Sequence, residues 1–150
     1  MTHERIVVLD FGGQYNQLIA RAVREAGVYA EILPYDSSLE RIQSGEDKLM
    51  GIILTGGPDS VYLPDSLSCD PRIFSAGVPV LGICYGMQLI IHTLGGEVAP
   101  GSAREYGRAV MNITDHSDLF KNVSSTLKVW MSHGDKVVKT PEGIECLART

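Results

Sequence analysis

Cys84 stands between Gly82 and Gly86, at the end of an apolar run and just before the helix-like stretch Met87, Gln88, Leu89, Ile90, Ile91. A strand that turns sharply into a helix lifts one side chain above its sheet, and the turn needs small residues two places either side of it. Gly82 and Gly86 occupy those places. The frame predicts a nucleophile elbow. It also leaves the N–H groups of Tyr85 and Gly86 at a helix N-terminus, where unpaired donors and the helix dipole favour a thiolate and an oxyanion.

Free cysteine usually acts as a small buried hydrophobe. Packing alone, however, has no use for glycine at both plus and minus two, because glycine in a core strand costs about 0.5–1 kcal/mol relative to alanine. The flanking glycines therefore assign Cys84 a reactive role. Cys69 and Cys146 lack such a frame and are expected to pack as small apolar side chains. Three cysteines, an odd number at irregular spacing, point to reduced thiols in the cytoplasm rather than a disulfide framework.

Four strand-like segments set the architecture. Residues 6–9, 51–54 and 78–83 read as strands buried on both faces, and residues 30–33 read as a further strand. A helix is predicted over residues 14–26, with Leu18, Ile19, Ala22, Val23 and Ala26 at helical spacing and Gly27 as its C-terminal cap, and a short helix near residues 38–44. Strands alternating with helices imply an α/β fold: an open, mostly parallel, flavodoxin-like sheet with helices on both faces. Beyond Gly95 and Gly96 the pattern changes to short alternating segments at 108–113, 127–131, 137–138 and 145–148, read as antiparallel strands appended to the sheet.

Ligands in such sheets bind beyond the carboxyl ends of the strands. Three loops lie there: Asp10, Phe11, Gly12, Gly13; Thr55, Gly56, Gly57, Pro58; and the Cys84 elbow. They are expected to converge on one crevice. Facing Cys84, the N–H of Gly57 and that of Tyr85 would form an oxyanion hole, in which one donor is worth roughly 2.7–4 kcal/mol.

With 44% hydrophobic and 21% charged residues, the 150-residue chain fits one soluble globular domain. Its net charge of −5 and lack of a basic run argue against nucleic acid as a partner. No apolar stretch is long enough to span a bilayer, and the N-terminus does not read as a secretory signal. No metal site is expected.

A cysteine nucleophile needs a base, usually histidine. His3 lies at the terminus and His116 in a polar loop, while His92 sits two turns along the elbow helix from Cys84. His133 remains, in the polar run Ser132, His133, Gly134, Asp135 that reads as a loop. By its surroundings it is either the base or a substrate-binding or structural residue.

Taken together, the elbow, the Gly56–Gly57 loop and the Ser132 run resemble the three signatures of the class I (triad) glutamine amidotransferases. The opening Leu9, Asp10, Phe11, Gly12, Gly13, Gln14, Tyr15 and the motif Arg104, Glu105, Tyr106, Gly107 are similar, more narrowly, to the N-terminal glutaminase domains of the GMP synthase family. The resemblance implies hydrolysis of L-glutamine through a γ-glutamyl thioester on Cys84. It further implies ammonia transfer to an ATP-pyrophosphatase (synthetase) domain that aminates XMP to GMP at the expense of ATP. Gly57 and Tyr85 match oxyanion donors, and Gln88 matches a side chain that holds the substrate. Ser132, His133, Gly134 and Asp135 match a loop gripping its amino-acid end. No cofactor is implied for this domain; ATP and Mg belong to the synthetase domain, in the same or a partner chain.

In that family the base comes from a later His-x-Glu motif, and no histidine follows Asp135 here. Residues 1–150 are accordingly expected to be a glutaminase domain truncated before that motif and impaired alone. Competing expectations are an amidotransferase of another pathway, another elbow-cysteine enzyme such as a peptidase or γ-glutamyl hydrolase, and a non-catalytic interaction module of the same fold. The motif Arg104, Glu105, Tyr106, Gly107 is expected to contact the synthetase domain.

Overall fold

A computed structural model describes residues 3–150, with the side chains of residues 103–105 outside the description. Of the motif expected to contact the synthetase domain, the side chains of Arg104 and Glu105 therefore lie outside the described residues. Strands β1 (Glu4–Asp10), β2 (Tyr29–Pro34), β3 (Lys48–Leu54) and β4 (Val80–Gly82) form a parallel sheet in the order β2-β1-β3-β4. Helices α1 (Asn16–Glu25), α2 (Leu39–Gln43) and α3 (Tyr85–Thr93) lie between or after them.

The strand order explains why helices cover both faces. The chain moves one way from β1 to β2 and the other way from β2 to β3, so crossovers of one hand fall on opposite sides. Ala20 of α1 packs with Val8, Ala30 and Ile53 on one face. Ile42 of α2 and Leu89 and Ile91 of α3 pack with Val7, Leu9, Ile52 and Leu54 on the other. Burial on both faces is why β1 and β3 read as unbroken apolar runs. The helix expected over 14–26 forms with shorter bounds, but Leu18 is largely exposed. Only a narrow stripe of α1, centred on Ala20, touches the sheet.

The reversal of strand order between β1 and β3 opens a crevice at their carboxyl ends. Close packing of the two following loops sets its floor. A Cβ on Gly13 would collide with the Gly56 carbonyl oxygen, and one on Gly57 would stand 2.7 Å from the Phe11 oxygen. The Phe11 N–H donates to the buried Thr55 hydroxyl at 3.1 Å.

Strands β5 (Glu97–Ile113), β6 (Thr126–Lys139) and β7 (Ala148–Arg149) form a second, antiparallel sheet in the order β6-β5-β7. Antiparallel strands were expected here, but among the described residues they form a sheet of their own, and two of them are long. The base of the β5–β6 ribbon is tied to the core through Val98, Val137 and Ile144. At its junction with α3, a Cβ on Gly96 would lie 2.6 Å from both Ile91 Cγ2 and the Lys139 oxygen, so only glycine lets the ribbon approach. Further out, Trp130 is 71% exposed on one face of the ribbon. Among the described residues, no helix is long and apolar enough to cross a membrane.

One structural residue lay outside the apolar pattern. Arg5, buried in β1, donates to Glu31 at 2.6 Å and to the carbonyl oxygens of Ile42 and Ser44, both at 2.9 Å, while its Nε has no partner. It ties the end of α2 to the sheet. Arg5→Met strands those two carbonyls and is expected to lower unfolding free energy by about 2–3 kcal/mol, measurable by denaturant titration.

Candidate active site

Cys84 adopts φ 52° and ψ −113°, a left-handed conformation that non-glycine residues rarely take. It is the N-cap of α3, and its side chain is exposed. The turn is held from both sides. A Cβ on Gly82 would meet the Met87 N and Cα at 2.5 and 2.6 Å, and one on Gly86 would overlap the Leu54 carbonyl oxygen. The Gly86 N–H donates to the oxygens of Thr55 and Ile83 at 3.1 and 3.0 Å, stitching the elbow to the end of β3. The expected elbow is present, and its two glycines meet backbone atoms for which no other side chain leaves room.

Tyr85 follows Cys84 into the core. Its ring packs on Phe11 with centroids 5.5 Å apart, and its hydroxyl donates to the Leu67 oxygen at 2.5 Å. Burial pushes the phenol's pKa up. These contacts lock the first turn of α3, so the Tyr85 N–H is held beside the cysteine. Among the described residues, the N–H groups of Gly57 and Tyr85 have no hydrogen-bond partner. Both residues line a cavity of about 620 Å³ that also holds Cys84. A Cβ on the neighbouring Gly56 would stand 3.6 Å from Cys84 Cβ, which places the loop against the Cys84 side chain.

Gln88, Ser132, His133, Gly134 and Asp135 line the same cavity. All eight residues singled out from the sequence, counting Gly57, Cys84 and Tyr85, thus face one space. Gln88 lies one turn along α3, with its amide Nε2 3.5 Å from the Asp135 carbonyl oxygen. His133 Nδ1 approaches the same oxygen at 2.9 Å.

Two expectations are corrected. The run from Ser132 to Asp135 is not a loop but part of β6, paired with β5. The register runs from Tyr106 opposite Ser132 to Pro100 opposite Asp135, with an irregularity between Pro100 and Glu105. Bulges of this kind re-aim side chains at the rims of sheets, and here the irregularity brings Pro100 and Gly101 into the cavity wall. The second correction concerns the loop after β1. It does not line this cavity; Asp10, Phe11 and Gly12 border a separate, mainly apolar hollow of about 380 Å³ beside β2. Its part in the site is to back the Gly56–Gly57 loop, and the antiparallel sheet supplies the third wall.

Residues missed from the sequence include Ser60, Tyr62 and Tyr106. A signal existed for the first two: they flank Val61, which is 2% exposed, so the alternation puts both on the side away from the core. Tyr106 belongs to a motif noted above only for its family resemblance.

The other cysteines divide. Cys69 packs against the core as expected, and burial pushes its thiol up to about 11. Cys146 is exposed, contrary to expectation, and its thiol donates to the Ala148 oxygen at 3.3 Å. Ellman titration of the native protein at pH 8 should therefore show two fast thiols, Cys84 and Cys146, with Cys69 reacting only on unfolding. Because the native state holds the Cys69 proton more tightly, its stability falls as pH rises from 9 towards 11.

Comparison with known proteins places this geometry. The chain is 56% identical over its whole length to a protein from Syntrophomonas wolfei named GMP synthase (glutamine-hydrolyzing), covering 29% of that protein. It is 57% identical over 143 residues to the Campylobacter lari protein of the same name, covering 28% of it. The chain thus spans less than a third of these curated relatives. Among solved structures, a putative GMP synthase subunit from Thermoplasma acidophilum superposes with a TM-score of 0.80 at 26% identity, covering 99% of this chain and 73% of that one. A Thermotoga maritima glutamine amidotransferase, at 20% identity and a TM-score of 0.78, shares the fold and covers 99% of this chain and 67% of that one. The family model described as glutamine amidotransferase class-I matches residues 7–150, and the chain belongs to that family.

Proposed function

We propose that the chain hydrolyses L-glutamine and supplies the ammonia to an ATP-dependent synthetase domain that aminates XMP to GMP, as a cytoplasmic glutaminase of the GMP synthase type. The observation that carries the chemistry is an exposed cysteine at a strained elbow, beside two unpaired N–H groups in one cavity. The substrate's amino-acid end lies against Gln88 and the β6 residues Ser132 to Asp135, and its carboxamide against Cys84. The sulfur attacks the carboxamide carbon, and the developing oxyanion accepts from the N–H groups of Gly57 and Tyr85. Ammonia leaves, and water then releases glutamate from the thioester.

Proton transfers in these steps need a base. His133 is the one described histidine in the cavity, and its Nδ1 is engaged by the Asp135 carbonyl oxygen. Its proposed role is in binding, with the base supplied from outside these 150 residues. The assignment to the GMP synthase type is supported by relatives at 56% and 57% identity bearing that name. The proposal assigns the synthetase domain, with ATP, Mg and XMP, to sequence beyond the roughly 29% of those relatives that this chain covers.

A glutamine-like chloroketone tests the reading. It should label Cys84 in the full-length protein with saturation kinetics, and L-glutamine should protect. Labelling that is unsaturable and indifferent to glutamine would refute it.

A further inference from the structure

Asp135 meets two hydroxyls from a different part of the chain. The Ser60 hydroxyl donates to Asp135 Oδ2 in a short hydrogen bond, and the Tyr62 hydroxyl donates to Oδ1 at 2.9 Å. Ser60 and Tyr62 follow Gly57 by three and five positions, in the loop after β3, whereas Asp135 belongs to β6 of the other sheet. Buried Val61 anchors the loop between them. All three polar residues line the Cys84 cavity.

A carboxylate offers about four lone-pair sites. The two hydroxyls occupy one on each oxygen, fixing the rotamer and leaving the others open to the cavity. Hydroxyl donors also leave the carboxylate's negative charge uncompensated by any cation of the loop. A ligand ammonium, with three donors and a positive charge, complements that arrangement.

We propose that Ser60 and Tyr62 are positioning residues that clamp the Asp135 carboxylate as the counter-charge for the substrate's α-ammonium group. The clamp rests on the glutamine reading above. It also bridges the two sheets, so an ammonium bound at Asp135 braces the loop that carries Gly57. Recognition of the amino-acid end and presentation of the oxyanion donor are thereby mechanically linked.

The test compares two chloroketones on the full-length protein: the glutamine-like 2-amino-4-oxo-5-chloropentanoate and its analogue without the amino group. In wild type the amino compound should half-saturate labelling of Cys84 at a lower concentration. In the S60A/Y62F double variant that concentration should rise about tenfold, as expected when support for a charge-assisted contact is lost. The value for the analogue should not move, and S60T, which keeps a hydroxyl, should stay near wild type. Equal weakening towards both reagents would reduce the pair to a structural role and overturn the clamp. So would a double variant that discriminates as wild type does. A wild type unprotected by glutamine would instead sink the glutamine reading and the clamp together.

Discussion

On the proposed function, replacing Cys84 by alanine should cut glutamine hydrolysis by the full-length protein at least about 10³-fold, because among the described residues Cys84 is the one thiol lining the cavity. The more informative variant is Cys84→Gly. At φ 52° and ψ −113° the native residue holds strain of about 1–3 kcal/mol, which glycine relieves. Against this stands glycine's greater loss of backbone entropy, about 0.5–1 kcal/mol. The expected net effect is a gain of about 1 kcal/mol, a rise in melting temperature of roughly 2–4 °C for a domain of this size. Inactivity coupled to higher stability is the signature of an elbow strained for function. A glycine variant that melts below the alanine variant would show that the conformation stores no such strain.

Gly86→Ala carries the largest structural effect. Its Cβ would overlap the Leu54 carbonyl oxygen and stand 2.6 Å from Leu54 Cβ, inside the parallel sheet. Neither the central strand nor the first turn of α3 can retreat without breaking the bonds from the Gly86 N–H to Thr55 and Ile83. Overpacking against backbone of this kind should cost about 3 kcal/mol, lowering the melting temperature by roughly 6–12 °C. Labelling of Cys84 by the glutamine-like chloroketone should slow more than tenfold even below that temperature, because the elbow itself must shift. Unchanged melting would mean that the turn has more room than its glycines imply.

The elbow was legible because its demands are local. A strand, a turn and a helix within ten residues leave their requirements in adjacent letters, and Gly82 and Gly86 answer to backbone atoms no more than a few residues away or on the neighbouring strand. The central strands β1 and β3 were legible for a related reason, since burial on both faces writes itself as an apolar run. The β6 strand was legible only at its two ends, residues 127–131 and 137–138. Its side chains alternate between half-buried and exposed, but Val129, Trp130 and Met131 are all apolar, and the polar run from Ser132 to Asp135 reads as a loop until β5 is set beside it. Pairing partners twenty to forty residues apart leave no mark on either segment alone. Arg5 escaped for the same reason: its partners are carbonyl oxygens at the end of α2, and a sequence does not show where carbonyls point. The loop after β1 was placed at the correct end of the sheet, but whether it faces the cavity or stands behind another loop depends on packing around Gly13 and Gly57.

The cavity is shared between two sheets that meet along α3 and at the close approach around Gly96. Cys84 and Gly57 ride on the parallel sheet, buried on both faces, whereas Ser132 to Asp135 ride on a ribbon anchored mainly at its base. The two halves therefore answer to different forces. On the proposed roles, a partner pressing on the outer ribbon would have a lever on the grip for substrate while leaving sulfur and oxyanion donors in register. Control of such an enzyme can then be exerted through occupancy alone, with the chemical step itself left untouched.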